Sequence, residues 1–303
     1  MKTFALLKPD GKTITATAFE PSSPKGRTLL MSAATGMKQT FYYKFAEYYA
    51  EQGYHVYTYD YSGIGLSGGD KVRSSGASYS TWGKEDFPIM VRHLKQKHSD
   101  QPLYYIGHSF GGNCLGMSDV SKDLEAIITV ASQHGYWGGF EGINKYKVWA
   151  VFAISMPLLT RLLGYFPSKT HSLGENLPRG VANDWSDVIL NYHGMEVIGR
   201  GSWNRALGAP MLCMSFTDDS FAPKQAVDRL AFESYAETPL ERLHIAPEDW
   251  KADSIGHFDF FRKKFRDSLW QIPLEWFDKQ AEKQGAKQAV KQVPVNQTET
   301  TVS

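Results

Sequence analysis

A short apolar run, Leu103–Ile106, leads straight into Gly107-His-Ser109-Phe-Gly111-Gly112 and then into a helix-compatible segment. Few local patterns restrict a chain so much. The serine stands between glycines that have no Cβ atoms, so a strand and a helix can approach closely around a strained backbone. Gly-x-Ser-x-Gly carries meaning only when a strand precedes it and a helix follows, and both conditions are met here. Ser109 is expected at the tip of a sharp turn. The amides just after it open a helix N-terminus, which favours developing negative charge. A serine held in this way suits nucleophilic attack, and the chemistry then needs a base and an acid elsewhere in the chain.

Both are present downstream. Met211–Phe216 reads as a buried strand and ends in Thr217-Asp218-Asp219-Ser-Phe-Ala-Pro223. Further on, Gly256-His257 lies in a loop before an amphipathic stretch. An imidazole must take the serine proton and return it to the leaving group, and a buried carboxylate must hold that imidazole in one tautomer. The chain order Ser109, Asp219, His257 is that of α/β hydrolases, unlike the chymotrypsin or subtilisin orders.

Over residues 1 to about 280 the chain resembles the α/β-hydrolase superfamily. It is most similar to the branch near serine aminopeptidases and lysophospholipase-like esterases. The matching pieces are Tyr57-Thr-Tyr-Asp60-Tyr-Ser-Gly-Ile-Gly-Leu-Ser67, the serine turn, the Asp218-Asp219 turn and Ile255-Gly-His257-Phe. The resemblance implies that the second aspartate, Asp219, is the acid, with Asp218 as the fallback. It also implies a mostly parallel sheet flanked by helices, with a helical cap inserted over the site. The chain departs from the pattern after its third strand. Many relatives have His-Gly there, whereas this chain has Ser32-Ala33-Ala34-Thr35-Gly36. The oxyanion donors are expected to be the Phe110 N–H and an N–H at Ala34 or Ala33, with Ala34 preferred.

Strand and helix patterns alternate through the first 131 residues, as a doubly wound parallel sheet requires. Residues 3–8 and 12–19 read as a hairpin around Pro9-Asp10-Gly11. Strands follow at 28–32, 54–60 and 124–131, with helices at 41–52, 82–98 and 113–120. The alternation breaks over residues 134–208, the expected cap, and resumes at Pro210. The core is thus expected at 1–133 and 209–280, with strand 240–245 and helix 258–280. Composition from 281 to 303 predicts a disordered tail. Trp137, Phe140, Trp149, Phe152, Met156, Leu159, Leu162 and Phe166 are expected on the underside of the cap. Among these, Trp137, Phe152 and Met156, together with His134 at the cap entrance, are the candidate substrate contacts. His108 is expected to point away from the substrate.

Charge and cysteine content exclude other classes. The 33 Lys and Arg balance 32 Asp and Glu, so there is no basic footprint for nucleic acid. The two cysteines, Cys114 and Cys213, make no disulfide framework or metal spacing, and both read as buried apolar residues. No metal or organic cofactor is implied. The N-terminal apolar stretch is too short for a signal peptide, which predicts a cytoplasmic location. Gly63-Ile-Gly65-Leu-Ser-Gly68 spells a dinucleotide fingerprint, but no helix pattern opens there. Asp60 reads as a loop tie. The apolar run 148–159 is shorter than the ~20 residues a membrane span needs, so no stable insertion is expected.

These readings converge on a serine hydrolase acting on a carboxylic ester or thioester with an apolar acyl part. Two alternatives share the frame. One is amide or peptide-terminus hydrolysis, with Glu141, Glu175, Asp184 or Asp187 binding a substrate amine, or a cofactor-free perhydrolase. The other is a non-catalytic member that binds a small molecule. Oligomeric state is not legible in the chain.

Overall fold

The computed structural model describes residues 1–171, 174–199 and 201–291. Eight strands form one sheet in the order β1-β2-β4-β3-β5-β6-β9-β10. These are β1 (Lys2–Leu7), β2 (Thr13–Phe19), β3 (Arg27–Ser32), β4 (Tyr54–Asp60), β5 (Leu103–His108), β6 (Ala126–Val130), β9 (Met211–Phe216) and β10 (Leu240–Ile245). Two-residue strands β7 (Tyr165–Phe166) and β8 (Leu177–Pro178) pair separately within the inserted segment. Only the β1–β2 and β2–β4 pairings of the large sheet are antiparallel.

Burial follows from this topology. Strands β5, β6 and β9 are buried at every position, because helices cover both faces of a parallel sheet. Their sequences are accordingly continuous apolar runs rather than alternating ones. Strand β1 lies at the sheet edge with every residue exposed or half-buried, Phe4 and Leu6 being the half-buried ones. Its end is anchored by Lys8, whose buried ammonium meets Asp86 at 2.9 Å and Ser62 at 3.0 Å. Asp86 also accepts the Ser62 N–H, so this buried charge is paired and hydrogen-bonded.

The helices that matter here are α1 (Tyr43–Glu51), α2 (Phe87–Lys97), α3 (Phe110–Asn113), α4 (Asn144–Leu163), α5 (Arg179–Leu190), α6 (Lys224–Arg229) and α7 (Gln271–Lys291). The chain leaves the sheet after β6 and returns to it at β9, so α4 and α5 belong to the inserted segment.

Three expectations about elements need correction. The helix after the serine turn is one α-turn followed by a 3₁₀ turn, Cys114–Met117, and does not continue to 120. Gly111 and Gly112 sit in it, and Ser118 adopts an extended conformation that ends it. Residues 258–270 form two 3₁₀ turns, Asp259–Phe261 and Lys263–Phe265, and the helix begins only at Gln271. Their aromatic rings serve the core: Phe260, Phe261, Phe265 and Trp270 are buried. Helix α7 then runs through Ala281 to Lys291, so the segment expected to be disordered starts as helix. Residues 292–303 lie outside the described residues.

Candidate active site

The turn between β5 and α3 places Ser109 at φ +51° and ψ −116°, a conformation rare for a residue with a side chain. The surrounding glycines make it possible. A Cβ on Gly107 would lie 2.5 Å from the Gly112 nitrogen, and one on Gly111 would lie 2.3 Å from the Ser32 carbonyl oxygen. Real Cβ atoms do not approach so closely, so these positions exclude any larger residue. The Ser109 N–H is anchored on the Val130 carbonyl at the end of β6.

His257 and Asp219 arrive on the loops after β10 and β9. The His257 Nδ1 lies 2.8 Å from Asp219 Oδ2. The other carboxylate oxygen, Asp219 Oδ1, accepts the Phe221 and Ala222 N–H groups. Asp219 is 4% exposed, so its carboxylate is held by three donors away from water. Asp218 faces elsewhere. Its carboxylate accepts the Ile255 and Gly256 N–H groups and ties the two loops together. The two adjacent aspartates thus do different work, and Asp219 is the one that meets His257.

A narrow pocket of about 60 Å³ is lined by Ser109, His257, Phe110, Thr35, Asn113 and Phe221, among others. The Ala34 N–H, expected as the second donor, is committed elsewhere and donates to Tyr42 Oη at 2.9 Å. Ala33 is buried and does not reach the pocket. Thr35 does, and among the described residues its N–H has no protein acceptor. The Phe110 N–H, as the first in its helix, lacks an intrahelical acceptor. Thr35 Oγ1 is bonded to Tyr79 Oη at 2.7 Å, and the Tyr79 ring stacks on Phe110 at 4.2 Å, so the two amides share one rigid support.

A second support is not legible in the sequence. His108 lies behind Ser109, fully buried and outside the pocket. Its Nε2 is 2.8 Å from the His257 carbonyl oxygen, and its Nδ1 is 2.8 Å from Tyr42 Oη. Burial, with His257 nearby, holds the His108 pKa well below the usual histidine range, so the ring is neutral. The donors are then determined. A carbonyl only accepts, so Nε2 carries the proton, Nδ1 accepts from Tyr42, and Tyr42 accepts from Ala34. One chain of hydrogen bonds therefore links the Ala34 loop to the His257 loop.

Asp60 ends β4 and accepts from the Gln39 N–H, the Gln39 side chain and the Leu66 N–H, which fixes the glycine-rich loop that follows. That loop passes into a 3₁₀ helix, Gly69–Ser74. Cys114 and Cys213 are free and buried.

A larger apolar cavity of about 380 Å³ adjoins the pocket and shares Gln133, Trp185 and Phe221 with it. Phe152 and Met156 line it, with Phe140, Val148 and Phe166. The other two candidate contacts are corrected. His134 is buried beneath Gly194 and reaches neither space. Trp137 packs on Tyr136 and Tyr146 and also reaches neither. Trp149 and Leu162, expected on the underside, are exposed. The four acids considered for amine binding also lie away from Ser109. Glu175 pairs with Lys38 and Lys169, Asp184 accepts the Tyr79 N–H, and Glu141 and Asp187 line other surface depressions.

A predominantly parallel eight-stranded sheet with a strained serine at the β5–α3 turn defines the α/β-hydrolase fold. Residues 24–176, half of the chain, match the family described as serine aminopeptidase, S33, and the protein belongs to that family. Solved structures share the fold at low identity. The DcsB structure, a complex with its substrate analogue, is 14% identical with a TM-score of 0.64, covering 92% of this chain and 99% of that one. Mouse alpha/beta hydrolase domain-containing protein 10 is 13% identical with a TM-score of 0.57, covering 92% and 99%. A carboxyl esterase from Bacillus coagulans is 11% identical with a TM-score of 0.58, covering 92% and 98%.

Proposed function

We propose that this hydrolase cleaves a carboxylic ester or thioester with an apolar acyl group through a Ser109–His257–Asp219 triad. The observation that carries the reading is the strained Ser109 in one pocket with His257, whose Nδ1 is 2.8 Å from Asp219. Ser109 Oγ attacks the carbonyl carbon as His257 Nε2 takes its proton. The tetrahedral oxyanion accepts hydrogen bonds from the Phe110 and Thr35 amides, each worth roughly 10²–10³ in rate. His257 then protonates the departing alcohol or thiol, which leaves an acyl-enzyme. Water, deprotonated by His257, attacks that ester and releases the acid and free Ser109. Asp219 holds the imidazole in the Nδ1–H tautomer and stabilises the imidazolium.

The acyl side is assigned from the apolar cavity of Phe140, Val148, Phe152, Met156 and Phe166 next to the pocket. Family membership alone does not choose the leaving group. Among the described residues no carboxylate lines the Ser109 pocket, which disfavours recognition of a substrate amine. The test is labelling with a fluorophosphonate, mapped by peptide mass, followed by an ester panel of graded acyl length. Stoichiometric labelling at Ser109, lost in Ser109→Ala, together with a preference for apolar acyl groups, is expected. A folded protein that takes no label would overturn the triad, and faster cleavage of aminoacyl amides than of esters would overturn the substrate class.

A further inference from the structure

Helix α4 has two apolar faces, and the protein covers one of them. The inner stripe, Val148, Phe152 and Met156, lines the cavity beside the active site. The outer stripe is exposed and runs through Ile154, Leu158 and Leu162 at spacings of four residues, with Ile143 at the helix start, while Lys147 and Val151 are exposed but also border the cavity. Ile143, Ile154, Leu158 and Leu162 are 53–71% exposed, and Tyr146 and Trp149 add exposed aromatic surface near the helix start. Apolar residues scattered singly over a surface need no explanation, but a group of exposed large apolar side chains along one 20-residue helix does.

Charge narrows what could cover it. From Gly142 to Gly174 the sequence contains no Asp or Glu, while Lys145, Lys147, Arg161 and Lys169 are basic. Lys145, Lys147 and Arg161 form no ion pair with a described residue. A second copy seated on this face by two-fold symmetry would bring these cations toward one another. An anionic partner would neutralise them. The helix is long and apolar enough to cross a bilayer by length and composition. Yet its inner face is committed to the cavity, and Met156 and Thr160 are buried in the fold. It is therefore placed to lie along an interface rather than to span it. Aromatic side chains at one end and lysines beside them are the groups that settle at headgroup depth.

We infer that the outer face of α4 docks the protein reversibly on an anionic lipid surface, with the apolar cavity directly behind the docked helix. The inference rests on α4 alone and does not require Ser109 to be a nucleophile. The full-length protein is mixed with phosphatidylcholine vesicles with and without phosphatidylglycerol, and the bound fraction is read by co-sedimentation. Binding to the phosphatidylglycerol vesicles, weakened by added salt, is expected. Ile154→Ser/Leu158→Ser/Leu162→Ser is expected to lower partitioning by at least about tenfold. Lys145→Glu/Arg161→Glu is expected to lose binding to the anionic vesicles selectively. An unchanged melting temperature shows that each variant folds, and fluorophosphonate labelling of Ser109 reports separately on the proposed hydrolase. Failure of the wild type to bind anionic vesicles overturns the inference, as does binding that the triple variant leaves intact. A wild-type dimer in sedimentation velocity that the triple variant converts to monomer would overturn it too and assign the face to a second copy.

Discussion

The two adjacent aspartates show how much a single residue's surroundings decide. Asp219 and Asp218 are one peptide bond apart, yet Asp219 meets the imidazole and Asp218 closes a loop. Asp219→Asn is expected to lower kcat by roughly 10³–10⁴ by leaving the imidazole in the wrong tautomer. Asp218→Asn should keep kcat within about tenfold and act mainly on stability, because it weakens two charge-assisted bonds to backbone amides. Steady-state kinetics and melting curves of the pair check this, and equal losses of kcat would contradict the assignment. Tyr42 offers a second test at this scale. Tyr42→Phe removes the acceptor of the Ala34 N–H and the donor to His108. It should cost about 1–3 kcal/mol of stability by leaving buried groups unpaired. Because the Ala34–Thr35 loop and the His257 loop both lean on this chain of bonds, kcat should fall while KM stays nearly constant. A change in KM alone would show that the chain does not position the reacting groups. The sequence marks Ser109 and His257 through their glycine neighbours. It does not mark Tyr42, which reads as one more aromatic in a helix and acquires its role from a contact 66 positions away in the chain.

Among the elements, the sheet was the most legible. Strands at 28–32, 54–60 and 124–131 were readable because a strand buried on both faces must be an unbroken apolar run, and turn residues mark its ends. The stretch 258–270 reads as helix in sequence because buried aromatics at short spacing fit a helix and a series of 3₁₀ turns equally well. Helix α4 was readable as apolar, but its orientation was not. Periodicity identifies a stripe and does not say whether protein or solvent covers it, so Trp149 and Leu162 were expected inside and are outside. The inner stripe supports a prediction about specificity. Val148→Trp would fill part of the cavity behind Ser109. Activity on long-chain esters should fall at least about tenfold relative to the shortest acyl substrate, whose carbonyl needs only the narrow pocket. An unchanged chain-length profile would move the acyl group out of that cavity.

Across the whole molecule, the buried histidines couple stability to pH. His134 has its pKa lowered to about 4 from 6.5 by burial, with Arg229 and His193 adding to the effect. The unfolded chain therefore takes up this proton first as pH falls. The stability that His134 contributes is full above pH 6.5, declines below it, and levels off near pH 4. The share of His134 at pH 5 is about 2 kcal/mol. Denaturant unfolding at pH 7 and pH 5 should show a smaller loss for His134→Phe than for wild type, with equal losses counting against the buried-histidine account. His108, also held neutral by burial, keeps part of the slope in the variant. The fold class, the succession of strands along the chain, and Ser109, Asp219 and His257 as candidate reacting residues are legible in one dimension. Those signals are local: periodicity, turn chemistry and chain order survive in one dimension. Folding decides that Asp219 meets His257, that among the described residues the Thr35 N–H lacks an acceptor while that of Ala34 is used, and which face of α4 is exposed. Each of these depends on a neighbour brought close by folding, and hydrogen-bond partners and burial are properties of that neighbour as much as of the residue itself.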